Sequence, residues 1–212
     1  VIRALFLDAA GTLIDLVEPV GSVYARILGQ HGIETTPEAM SLAFRHAFAT
    51  LPPPDFSMPE DGHEIERRWW RDLVHTALGQ AIPDAAFDAL FDHYADPAAW
   101  KVFPEVPEFI DRASESGLKL AVVSNFDRRL HPILSGLGLT PAFDLIVSSA
   151  DARARKPDPA IFHHTLCALD LRPEETLHIG DDARLDHAAA LACGLRAFHV
   201  DRPGLSLLDA RW

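Results

Sequence analysis

A chain of 212 residues, 48% hydrophobic and 24% charged, can bury one core or one core with an insertion, and is neither disordered nor fibrous. Its net charge of −12 excludes nonspecific affinity for nucleic acid or anionic membranes, but not for a small phosphorylated substrate held through a local cation. Two cysteines without C-x-x-C spacing indicate neither a disulfide framework nor a zinc site, and with no membrane span or basic-headed signal peptide a soluble cytoplasmic protein is expected.

In chain order, the first apolar run, ending Ala4-Leu5-Phe6-Leu7, stops at Asp8 and reads as a buried parallel strand. Residues 15–98 follow a different pattern. Helical segments are predicted at Pro19–His31, Pro37–Leu51, Gly62–Leu78 and Asp84–Tyr94, with no strand between them; Gly32 and Pro52-Pro53-Pro54 end the first two. This stretch is read as a helical cap inserted after the first strand. Strand-like runs then recur at Leu118–Ser124, Leu145–Ser148, Thr176–Gly180 and Ala197–Val200. Helical patterns at Val106–Ser116, Arg129–Leu137, Asp158–Leu169 and Arg184–Ala192 alternate with them. The alternation predicts an α/β, Rossmann-like doubly wound parallel sheet made of residues 1–14 and 99–212, with chemistry at the carboxyl ends of its strands.

Four segments at those ends carry chemical groups. Asp8-Ala9-Ala10-Gly11-Thr12-Leu13 places a carboxylate before a Gly-containing turn, where it can attack phosphorus while turn amides bind phosphoryl oxygens. Ser124-Asn125 offers a hydroxyl and an amide, and Lys156 opens a helix at Lys156-Pro157-Asp158-Pro159. Asp181, Asp182 and Asp186 form an acidic group after Thr176–Gly180. Taken singly, these are turn residues, helix caps and a solvated lysine. In this order they are the set that metal-assisted phosphoryl transfer requires: a nucleophile, donors, a fixed cation and carboxylates for a hard divalent ion.

The four segments, with a helical insertion after the first, resemble the haloacid dehalogenase superfamily in its first cap class. Ser124-Asn125-Phe126-Asp127-Arg128-Arg129-Leu130, Trp69-Trp70 and His178-Ile179-Gly180-Asp181 resemble the branch named for the rhythmically expressed gene two. The resemblance implies Asp8 as nucleophile and Mg2+ ligand, and the backbone carbonyl of Ala10 as another ligand. Thr12, Ser124 and Asn125 would hold phosphoryl oxygens, and Lys156 would offset charge beside Asp8. Asp181 would be the direct carboxylate ligand, with Asp182 and Asp186 in support.

One departure stands out. Phosphatases of the family carry a second Asp two residues after the nucleophile, as general acid and base; here that residue is Ala10. Such assistance is worth about 10²–10⁴ in rate, and its loss matters least for leaving groups that are stable anions. His31, His46 and His63 in the predicted cap are candidates to replace it. Phosphonoacetaldehyde hydrolases share the alanine but need a cap lysine, and Lys101, Lys119 and Lys156 all lie outside residues 15–98. Haloacid dehalogenases need no general acid, yet Asp181 and Asp182 would repel their carboxylate substrates. The expectation is a Mg2+-dependent phosphohydrolase or phosphotransferase, and the alternative is a non-catalytic phosphate-binding or regulatory protein of the same fold. Nothing in the sequence sets an oligomeric state.

Overall fold

A computed structural model describes residues 1–212. The chain divides into two compact units, Val1–Asp15 with Lys101–Trp212, and Leu16–Trp100.

β1 (Ala4–Leu7) and the short β2 (Ile14–Leu16) come first. The second unit holds α1 (Val20–Gln30), α2 (Pro37–Thr50), α3 (Gly62–Leu78) and α4 (Asp84–His93). Its apolar residues recur at helical spacing: Val23, Tyr24, Ile27 and Leu28 of α1 bury against Met40, Val74, Ala86, Phe87, Leu90 and Phe91. Thr36 caps α2 and Asp61 caps α3 through their side chains, and Gly79 ends α3 in the left-handed conformation.

β3 (Trp100–Val102) pairs with β2 as a separate two-stranded ribbon. Neither strand was expected, because three residues are too few for an alternating pattern to register. The chain then alternates through α5 (Val106–Glu115), β4 (Lys119–Ser124), α6 (Leu130–Gly136), β5 (Leu145–Ser148), α7 (Ser149–Ala152), α8 (Pro159–Leu169) and β6 (Thr176–Gly180). It ends through α9 (Ala189–Ala192) and β7 (Arg196–His199).

The sheet is wholly parallel, in the order β5-β4-β1-β6-β7. This is the doubly wound α/β class that strand–helix alternation predicts. β1 lies at the centre, with Leu7 level with Val122 on one side and Ile179 on the other. Asp8, Ser124 and Gly180 therefore leave the same edge of three adjacent strands. Ala4, Phe6, Ala121, Val123 and Val147 meet Ile161, Phe162 and Leu166 of α8 and Ala189 and Ala190 of α9 on one face. Leu5, Leu7, Leu120 and Val122 alternate to the other face and are equally buried, which is why the strands read as unbroken apolar runs.

The helix expected over Arg184–Ala192 takes a different form. Ala183–Ala188 is a widened π-type turn, in which His187 N–H donates to the Asp182 carbonyl at 3.2 Å, and only Ala189–Ala192 is regular. The Asp182 carboxylate accepts from the Arg184 and Leu185 amides and starts the turn. That wide turn carries the buried Asp186.

Phe162 is fully buried between α8 and the sheet. Phe162→Ala should therefore cost about 3–5 kcal/mol in denaturant unfolding, while Leu42→Ala, at 64% exposure, should stay within about 0.5 kcal/mol of the parent.

Candidate active site

The turn after β1 is closed from inside. The Ala9 carbonyl accepts from the amides of Thr12, Leu13 and Ile14 at 3.2, 2.8 and 3.0 Å, and Gly11 N–H donates to the Ile14 carbonyl at 2.8 Å. Only Gly fits at position 11: φ is 83°, and a Cβ there would lie 2.4 Å from Asp181 Oδ2. The Ala9 and Ala10 amides, next to Asp8, make no hydrogen bond within the protein. They are the donors this turn has to offer an anion, whereas those of residues 11–14 are already spent.

Lys156 lies at the centre of the cluster. Its Nζ donates to Asp8 Oδ1 at 2.7 Å and to Asp186 Oδ1 at 2.5 Å, and its side chain is only 2% exposed. The backbone of Lys156 is held by Asn125, whose Oδ1 accepts from the Lys156 amide at 2.7 Å and whose Nδ2 donates to the Lys156 carbonyl at 2.8 Å. Asp186 is saturated: Oδ1 also accepts from His178 Nε2 at 2.9 Å, and Oδ2 from the Asp182 amide at 3.0 Å. Close approach depends on Gly180, where a Cβ would fall 2.2 Å from the Asp186 carboxyl carbon. Thr12 Oγ1 donates to Asp181 Oδ1 at 3.1 Å, and His199 Nε2 contacts the Asp181 carbonyl oxygen at 2.9 Å.

His178 is fully buried on β6, edge-on to Phe162 at 5.0 Å. Because a carboxylate only accepts, its Nε2 carries the hydrogen; Nδ1 has no partner. Burial holds the imidazole below its ordinary pKa, against the pull of Asp186. His178 is therefore neutral, and the charge count falls to four groups. Asp8, Asp181 and Asp186 set three negative charges against the single positive charge of Lys156.

Burial and this imbalance together shift the four groups. Burial raises the Asp8 carboxyl, with Lys156 opposing and Asp186 adding to the rise. Burial alone would also raise Asp186, but Lys156 and His178 hold it below the usual carboxylate range. Desolvation acts to lower Lys156, yet the charges of Asp8 and Asp186 raise it. Desolvation, reinforced by the charges of Asp8 and Asp186, pushes Asp181 up to about 6.

Oxygens of Asp8, Asp181 and Asp186 all lie within 4.8 Å of one another. With Lys156 protonated and all three carboxyls ionised the group would carry a net charge of −2 from hard oxygen donors, so these residues fit a hard divalent cation.

Of the residues expected to act together, Asp8, Thr12, Ser124, Lys156, Asp181 and Asp186 meet at this edge. Ser124 is buried, and its hydroxyl acts to lower the pKa of the Asp8 carboxyl. Asn125 belongs to the cluster through the Lys156 backbone. Asp182, expected beside the metal, is exposed and caps the following turn with its carboxylate. Ala10 follows Asp8 with a half-buried methyl and nothing to protonate. His178 was not expected among these groups, although a histidine inside the apolar run Thr176–Gly180 was the available signal.

In the helical unit, Trp69 is buried, donates through Nε1 to the Pro52 carbonyl at 2.7 Å and meets Trp70 edge-to-face, so the pair is part of the packing. His31 caps the end of α1, His46 is exposed on α2 and His63 packs against Phe91. None of the three lysines lies within Leu16–Trp100. No helix is long and apolar enough to cross a membrane.

The family model of haloacid dehalogenase-like hydrolases matches residues 2–194. The chain belongs to that family. It is 37% identical over 211 residues to haloacid dehalogenase-like hydrolase domain-containing protein 3 of Bos taurus, covering 95% of this chain and 83% of that protein. It is 27% identical over 226 residues to the Rhythmically expressed gene 2 protein of Drosophila melanogaster, covering 99% and 87%, and it falls in that branch. Among solved structures, an L-2-haloacid dehalogenase matches with a TM-score of 0.72 at 25% identity, covering 96% of this chain and 88% of that one. A phosphatase of the family from Thermococcus onnurineus matches with a TM-score of 0.68 at 21% identity, covering 96% and 88%.

The raised Asp181 carboxyl has a consequence for stability. Folding moves it from 3.8 to about 6, so folding favours its protonated form. That contribution is present below about pH 4 and is lost as pH rises through about 6. In chelator-treated protein, Asp181→Asn should gain thermal stability relative to the parent between about pH 4 and pH 7. A difference that stays flat across that range would contradict the charge crowding described here.

Proposed function

We propose that this protein is a Mg2+-dependent phosphohydrolase or phosphotransferase that works through an aspartyl phosphate on Asp8. The observation that carries this reading is Lys156, buried between Asp8 and Asp186 at the edge where Asp181 also lies. A buried ammonium held against a carboxylate suits a site that must accept a phosphoryl group beside a negatively charged nucleophile.

In this reading Asp8 Oδ attacks phosphorus as the bond to the leaving oxygen breaks, and the leaving group departs as an anion. Water then attacks the phosphorus of the acyl phosphate, the bond from phosphorus to Asp8 Oδ breaks, and the Asp8 carboxylate is regenerated while inorganic phosphate leaves with both protons of the water. The Ala9 and Ala10 amides, Thr12 and Ser124 bind the phosphoryl oxygens, and Lys156 offsets their charge. Asn125 acts by holding the Lys156 backbone. Asp8, the Ala10 carbonyl and Asp181 hold Mg2+, while Asp186 anchors Lys156 and Asp182 starts the turn that carries Asp186. A bound Mg2+ would neutralise charge on the phosphoryl oxygens and the nearby carboxylates. The substrate in this reading is a small phosphorylated molecule.

Ala10 sets the preference among substrates. With no acid to protonate the leaving oxygen, acyl phosphates, phosphoanhydrides and aryl phosphates are favoured over alkyl esters. A haloacid would bring its own carboxylate to three acidic residues and one lysine, which disfavours dehalogenation. The missing acid also supports a second reading, a non-catalytic phosphate-binding protein, which would bind phosphate with Mg2+ and turn nothing over.

Two variants test the assignment. Asp8→Asn should abolish Mg2+-dependent phosphate release from acetyl phosphate, and full activity in that variant would refute the nucleophile. Ala10→Asp should raise hydrolysis of a sugar phosphate about tenfold or more if only the acid is lacking. No gain, alongside intact acetyl phosphatase activity, would mean the pocket is unsuited to esters. Phosphate binding without release from any substrate would favour the second reading.

A further inference from the structure

The turn that follows Asp8 has the amides of residues 11–14 satisfied from within, but the carbonyls of Gly11 and Thr12 point outward. Both are taken by Arg202, from a distant part of the sequence. Arg202 Nη1 donates to the Gly11 carbonyl at 2.6 Å and Nη2 to the Thr12 carbonyl at 2.8 Å. The other edge of the guanidinium meets Glu105 Oε1, from Nε at 2.8 Å and from Nη2 at 2.7 Å. Its face lies on the Phe103 ring, with Cζ 3.7 Å from the centroid.

Every partner of Arg202 is itself anchored. Phe103 N–H donates to the Leu13 carbonyl at 3.1 Å, so the ring under the guanidinium is tied to the same turn. Glu105 precedes α5, and its carbonyl accepts from Phe109. Arg202 sits in a turn closed by two hydrogen bonds between Asp201 and Leu205, at 2.9 and 2.8 Å. That turn follows Val200, whose amide donates to the Gly180 carbonyl at 2.9 Å. The side chains of Arg202 and Glu105 are 22% and 16% exposed, so water competes only partly for these bonds.

We infer that Arg202 is a positioning residue for the nucleophile turn: its guanidinium clamps the Gly11 and Thr12 carbonyls and so, through the Ala9 carbonyl on which the turn closes, fixes where the Ala10 amide points. The geometry uses the planar fork of arginine. Two adjacent carbonyls and a carboxylate are met in one plane while the face stacks on an aromatic ring, and a lysine ammonium cannot do this from one point. Pinning these carbonyls fixes the 11–12 and 12–13 peptide planes, whose Thr12 and Leu13 amides donate to the Ala9 carbonyl, and that carbonyl shares its plane with the unbonded Ala10 amide. This role rests on the reading of Asp8 as the phosphate acceptor, because alignment matters only if that amide binds a phosphoryl group.

The test compares Arg202→Lys and Arg202→Met with the parent in three measurements. Hydrogen exchange over residues 9–14 should quicken about tenfold in both variants, with β5 unchanged as an internal control. The kcat for acetyl phosphate should fall about 10- to 100-fold with KM within about twofold, the pattern of misplaced donors and not of lost binding. Lysine keeps the charge and the stem, so its failure to rescue separates the clamp from a charge effect and from gross unfolding. Parental exchange over residues 9–14, or parental kcat, in Arg202→Lys would overturn the clamp. Binding of beryllium trifluoride with Mg2+ to the unaltered protein, followed by calorimetry, separates the two layers. No binding there, with fast exchange in the variants, would sink the Asp8 reading and leave the clamp standing.

Discussion

A lysine ammonium buried between two carboxylates is the interaction around which the α/β unit is organised. Removing a charge from water costs several kcal/mol unless partners replace the lost solvation. Lys156 has two, Asp8 on the first strand and Asp186 on the turn after β6, and each needs the lysine for the same reason. The result ties together three segments that are far apart in sequence. It holds only while the strands deliver their ends to the same edge, so the parallel sheet and the charge cluster support each other.

Supporting that lysine takes more groups than the lysine touches. Asn125 fixes its backbone, His178 and the Asp182 amide fix Asp186, and Arg202 holds the turn that carries Asp8. Gly11 and Gly180 contribute by what they lack, since a Cβ at either would occupy the space of an aspartate carboxylate. Asn125, His178, Asp182 and Arg202 each act on another group of the cluster through a contact within the protein. They determine how far each reacting group can stray, and misplacement of about 1 Å can cost about 10²-fold in rate.

The same core serves both an L-2-haloacid dehalogenase and a phosphatase among the solved structures it matches, so the fold by itself does not select a reaction. What distinguishes sites on such a fold is charge balance and the presence of an acid. Here three carboxylates cluster with one ammonium, which two of them contact, and the residue after Ala9 is an alanine. The first condition favours a divalent cation and an anionic phosphoryl group. Under the proposed chemistry, the second moves the demand for acid catalysis onto the substrate, whose leaving group would have to be stable without a proton.

Much of this was legible in one dimension. Apolar runs ending at Asp8, Ser124 and Gly180 declared buried parallel strands, because a strand covered on both faces shows no alternation. The helical periodicity of residues 15–98 and the order of the four polar segments needed no coordinates either. The short ribbon of Ile14–Leu16 and Trp100–Val102 escaped notice, since a three-residue strand has no measurable period. The division of labour among polar groups was also out of reach. Sequence places Asn125, Asp182 and Asp186 near the strand ends, but it cannot say that the first holds a lysine backbone, the second caps a turn and the third is buried against Lys156. Nor could it connect Arg202 with Gly11, 191 residues away. Composition and periodicity determine which surfaces must be buried, and hence the class of fold. Which carboxylate meets which cation depends on distances of a few ångströms, and those arise only when the strands and turns are packed together.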